Sequence, residues 1–105
     1  MVQKDIERAV ALIRDYPVIF SVTGTAFVYT IKNSRGRMIM ELQTERTGAS
    51  ARQCTYSLTL DGKKLADVNS ASRTPQDMQK IMVIEMLERM ANAKKITLPH
   101  VRYAR

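Results

Sequence analysis

Apolar residues recur at two different periods along this chain, and the switches between them mark out its elements. Over residues 3–15, Ile6, Ala9, Val10 and Ile13 recur at three- and four-residue steps. Tyr16 continues the stripe, and Lys4, Glu7, Arg8 and Arg14 lie mostly off it. That is the pattern of an amphipathic helix. Pro17 ends it, because proline lacks an amide hydrogen and clashes with the preceding turn. The period then becomes two. VIFSV (18–22) and AFVYTI (26–31) are rich in β-branched and aromatic residues and flank Thr23-Gly24-Thr25, which predicts a tight hairpin. Asn33-Ser34-Arg35-Gly36 predicts a second turn, since Asn and Gly both tolerate positive φ. A strand over 37–46 follows, with Met38, Met40 and Leu42 on one face and Ile39, Glu41 and Glu45 on the other.

The clearest alternation lies in RQCTYSLTL (52–60), where Cys54, Tyr56, Leu58 and Leu60 alternate with Gln53, Thr55, Ser57 and Thr59. One buried and one wet face is the signature of a sheet covered on a single side. Asp61-Gly62 suits a primed hairpin turn leading into KKLADVN (63–69). Thr74, Pro75 and Asp77 then form a helix start: a cap, a proline at the first helical position and an acid near the positive helix end. The helix runs from about Pro75 to about Ala93, and the basic stretch 94–105 follows as a tail. The expected fold is therefore α+β in one domain. It is a two-layer sandwich, with an antiparallel meander of four or five strands and an N-terminal and a C-terminal helix on one face.

Composition agrees with a folded domain: of 105 residues, 45% are hydrophobic and 26% charged. Charge changes the picture more. The net charge is +7, which favours an anionic partner such as nucleic acid or an acidic protein. The surplus is localised. Residues 1–31 and 61–93 each balance to zero. Segment 32–60 sets Lys32, Arg35, Arg37, Arg46 and Arg52 against Glu41 and Glu45, giving +3, and the tail sets Lys94, Lys95, Arg102 and Arg105 against no acid, giving +4. Concentrated cations suit phosphate contact, since each neutralised phosphate releases counterions. Arg35 and Arg37 flank Gly36, which would let backbone approach a phosphate, and Tyr103 beside Arg102 could stack on a base.

Catalytic chemistry is poorly provided for. His100 and Cys54 are the only residues of their kinds, too few for a zinc site, and no Gly-rich phosphate loop is present. No cofactor is called for. Glu41 and Glu45 would stand roughly 13 Å apart on a strand, too far for paired carboxylate work. Glu85, Glu88, Arg89 and Asn92 form one helical stripe that reads as a solvated face. A lone cysteine reads as a small buried hydrophobe in a reducing compartment. With no membrane span and no signal peptide, the expected setting is cytoplasmic, away from the membrane.

The second helix carries Met78, Met82, Met86 and Met90 at four-residue spacing, with Ile81, Val83, Ile84 and Leu87 between them. Its apolar arc is wider than one sheet contact requires. The simplest expectation is that the methionines pack on the first helix and the sheet, and the alternative is a dimer seam or partner groove.

The stretch YSLTLDGKKLADVNSASRTPQDMQKIMVIEMLERM resembles, in outline, the last two strands and final helix of double-stranded-RNA-binding domains. The likeness is one of topology and covers roughly the last two-thirds of the chain. It implies a helix–meander–helix order and RNA contact. Where that family has a lysine cluster at the start of the final helix, this chain has Arg73, Thr74, Pro75, Gln76 and Asp77, with Lys80 a turn later. These readings converge on a small non-enzymatic module that touches nucleic acid through Lys32, Arg35, Arg37, Arg46, Arg52, Lys94, Lys95 and Arg102. The alternative is a protein-interaction module, a small regulator or inhibitor of a larger complex or a homodimer, using the methionine helix or a strand edge.

Overall fold

The computed structural model describes residues 1–46 and 53–94, the side chain of Arg46 excepted. Helix α1 spans Gln3–Asp15, and five strands follow: β1 Ile19–Thr23, β2 Ala26–Lys32, β3 Met38–Arg46, β4 Cys54–Leu60 and β5 Lys63–Asn69. Helix α2 spans Pro75–Lys94. The strands pair antiparallel in sequence order, so the sheet is an open meander with β1 and β5 at its edges. This is the expected α+β order. No helix among the described residues is long and apolar enough to cross a membrane.

Local chemistry explains the turns. Asp61 and Gly62 both have positive φ, +52° and +79°, as a type I′ hairpin requires, and Asp-Gly is among the sequences that tolerate it. Gly24 takes φ +59° at the first position of the β1–β2 turn, the glycine position of a II′ turn. At the start of α2 the Thr74 hydroxyl accepts the Asp77 amide at 3.2 Å, and the Asp77 carboxylate accepts the Ser72 hydroxyl at 2.6 Å. The cap lies where the sequence places it.

Register aligns the core. Phe20, Tyr29, Leu42, Leu58 and Ala66 form one cross-strand row, and Ile31, Met40 and Leu60 form the next. These side chains are buried together with Ala9, Leu12 and Ile13 of α1 and Ile84, Leu87 and Ala91 of α2. Burying each Leu or Ile contributes about 1.5–3 kcal/mol, so both helices are held chiefly by these residues. α2 packs on β2, β3, β4 and β5. α1 lies beside it in the same direction: Met1 and Ile6 meet Gln76, Gln79, Lys80 and Val83, and the Lys94 ammonium donates to the Arg14 carbonyl.

Several expectations need correction. Met38 does not continue the face of Met40 and Leu42. A bulge between Ile31 and Lys32 sets Met38 opposite Lys32, and Met38 is exposed. Cys54 and Tyr56 are only half-buried, Tyr56 packing at the margin of the core beside buried Val68. In α1, Leu12 is buried while Tyr16 caps the helix and is exposed. The other sheet face, including Ser21, Val28, Gln43, Ser57 and Asp67 in one row, lies away from both helices.

Candidate functional site: a basic hairpin tip and a methionine ridge

The β2–β3 turn is built by one side chain. The Asn33 carboxamide oxygen accepts the amides of Arg35 and Arg37, each at 2.9 Å, and the Asn33 carbonyl accepts the Gly36 amide at 2.9 Å. All three amides are thereby used inside the turn. They are therefore not free to donate to a phosphate, and Gly36 takes φ +79°, with nothing within 4 Å of where a Cβ would stand. What the tip offers an anion is its side chains. Lys32, Arg35 and Arg37 are exposed, and no ion pair or side-chain hydrogen bond engages them among the described residues.

Meander topology brings a second turn to the same end. Arg37 and Asn33 share a shallow groove with Asp61 and Gly62 of the β4–β5 turn, and the Asp61 amide donates to the Ile39 carbonyl at 2.9 Å. Asp61 would blunt the positive field there, but its carboxylate is taken by Arg8 of α1, through Nε at 2.8 Å and a second guanidinium nitrogen at 2.9 Å. This two-pronged bond holds the Asp61 carboxyl below the usual carboxylate range and raises the Arg8 guanidinium further. Lys63 and Lys64 follow directly, Lys64 reaching Asp67 at 3.4 Å. Around these two turns Lys32, Arg35, Arg37, Lys63 and Lys64, with Arg8 reaching in from α1, accompany Glu41, Asp61 and Asp67, six cations to three acids. The lysines were missed in the sequence, although Asp61-Gly62 and a meander together imply that both tips share one end.

Arg46 ends β3 beside Cys54, at the opposite end of the sheet. Lys94 closes α2 and is committed to Arg14. Arg52, Lys95 and Arg102 lie outside the described residues. The structure thus gathers Lys32, Arg35 and Arg37 at one turn and places Arg46 at the other end of β3.

The start of α2 offers no phosphate clamp. Asp77 occupies the positive end of the helix, its carboxyl held low by the Ser72 and Thr74 hydroxyls, with Lys80 at 3.8 Å. Arg73 bonds the carbonyls of Ser70, Ala71 and Ser72. The resemblance to double-stranded-RNA-binding domains therefore stops at element order, and even there this sheet has five strands.

The methionines do not pack as expected. Met78, Met82 and Met86 are 51%, 68% and 42% exposed, and only Met90 packs against the core. The reason is that Ile84, Leu87 and Ala91 supply the buried face. Glu88 is not simply solvated either. It accepts the Thr44 hydroxyl at 2.8 Å, next to the Tyr56 phenol, whose pKa is raised by burial and then by Glu85.

No protein-family model matches the chain, and no curated protein and no solved structure matches it.

Proposed function

We propose that the protein is a small non-enzymatic module that binds the phosphate backbone of RNA or DNA through the paired hairpin tips. One observation carries the reading: Lys32, Arg35 and Arg37 stand exposed around one turn and join no ion pair among the described residues, while Asp61 of the neighbouring turn is held by Arg8. Three exposed cations around one turn can follow a phosphate backbone, so binding is set mainly by charge, varies little with sequence and depends steeply on salt. With a single free cysteine, the module suits the reducing cytoplasm.

The test is fluorescence anisotropy with labelled duplex and single-stranded RNA and DNA, wild type against Arg35→Glu/Arg37→Glu. Binding at low salt that is equal across sequences and lost in the variant is expected. Absence of any shift at about 50 mM salt ends the proposal.

A second reading, docking of a protein partner, rests on a separate observation, the exposure of Met78, Met82 and Met86.

A further inference from the structure

We infer that the exposed face of α2 is where a second copy of this chain docks, α2 against α2 and antiparallel, about a two-fold axis passing close to Met86. The inference is independent of the anion-binding reading.

The face is apolar where it need not be. Met82 is 68% exposed, the most of any large hydrophobic residue described, and Met78 and Met86 flank it one turn away on either side. Methionine supplies flexible, polarisable surface that re-packs against a neighbour at little cost. Met82, Met86 and Met90 line a shallow groove with Glu85 and Arg89, so an incoming helix finds apolar contact bordered by one acid and one base.

Charge selects the occupant. Glu85 and Arg89 stand one turn apart on this face, and neither joins an ion pair among the described residues. An antiparallel two-fold places residue i of one helix beside residue j of the other and j beside i. With the axis level with residue 87, next to Met86, Glu85 of each copy lies beside Arg89 of its mate, so both charges are matched twice. The wider field agrees. The chain carries +7, but α2 holds Lys80, Arg89 and Lys94 against Asp77, Glu85 and Glu88, which sum to zero. Two basic molecules would thus meet through an element that is itself neutral. Three methionines make a small patch beside the roughly 800 Å² per partner of a standard interface, so the dimer forms with rising concentration and is not permanent.

The experiment is sedimentation equilibrium on nuclease-treated protein, because a bound polymer would itself link copies. It covers roughly 10 μM to 1 mM, the range in which a weak dimer fills. Wild type should rise toward twice the monomer mass and stop there. Met82→Lys, at an exposed position, should stay monomeric throughout. Glu85→Arg alone and Arg89→Glu alone should each shift the midpoint at least tenfold toward higher concentration, and the combined swap should restore it. Circular dichroism melts check that each variant folds, and should Met82→Lys unfold, the charge swap carries the test. A wild type that remains monomeric, a mass that climbs past two, or a swap that fails to rescue overturns the inference.

Discussion

Asp61→Asn should weaken the fold slightly while strengthening its grip on nucleic acid, a pairing of opposite signs that follows from one ion pair. Asn-Gly forms a type I′ turn as readily as Asp-Gly, so the positive φ at residues 61 and 62 is preserved. What is lost is the carboxylate that holds Arg8, and both side chains are about half exposed, 49% and 52%. Exposed pairs of this kind contribute about 0.2–1 kcal/mol, which for a domain of this size lowers Tm by roughly 1–5 °C. The gain lies at the tip, where one negative charge goes and Arg8 is freed. If Arg8 then meets one more phosphate, the salt slope steepens by about 0.9. The corresponding gain in affinity is up to ~15-fold at 50 mM salt and ~4-fold at 200 mM. Anisotropy titrations at four salt concentrations, beside thermal melts of the same samples, read both effects. Unchanged or weaker binding at 50 mM, with the fold intact, would show that the anion does not lie across the paired turns.

Other expectations follow from the packing and the caps. Leu87 and Ile84 are fully buried, so either one changed to Ala should cost about 2–5 kcal/mol in urea unfolding, whereas Met82→Gln should stay within about 0.5 kcal/mol. Thr74→Ala removes the cap on the Asp77 amide and should cost roughly 0.5–2 kcal/mol by the same measurement. Asp61 and Asp77 both titrate below their ordinary value of 3.8, so the folded chain binds fewer acid-range protons than the unfolded one. Their stabilisation is complete above that ordinary value and disappears as pH falls through the lowered ones. The urea midpoint should therefore drop on acidification below about pH 4, and the drop should be smaller in Asp61→Asn/Asp77→Asn.

Much of the fold was legible because this sequence punctuates itself. Pro17, Gly24, Asp61-Gly62 and Thr74-Pro75 fall at element boundaries, and Leu58 and Leu60 alternate with Thr and Ser. The orientation of α2 was not legible. Met78, Ile81, Met82, Val83 and Ile84 surround the helix with apolar groups, so no stripe declares which side meets the sheet, and only packing on the sheet selects Ile84, Leu87 and Ala91. Bulges were hidden for a related reason. Met38 continues the alternation of Met40 and Leu42 in sequence, and nothing in the residue types marks Ile39 or Leu65 as the extra residue of a bulge. At the candidate site, Lys32, Arg35 and Arg37 were readable as a basic turn. The Arg8–Asp61 bond was not, since it joins residues 53 apart through a contact that only the finished sandwich creates.

The order of the elements also bears on how the chain comes together. Each strand pairs with its sequence neighbour, so the hairpins can zip successively over short loops and the sheet can assemble quickly for an all-antiparallel one. The apolar rows of that sheet are covered by α1, which precedes the strands, and by α2, which follows them. During synthesis the sheet's inner face must wait, half-roofed by α1, until Ile84 and Leu87 leave the ribosome. That interval is when the nascent chain is most prone to stick to its neighbours.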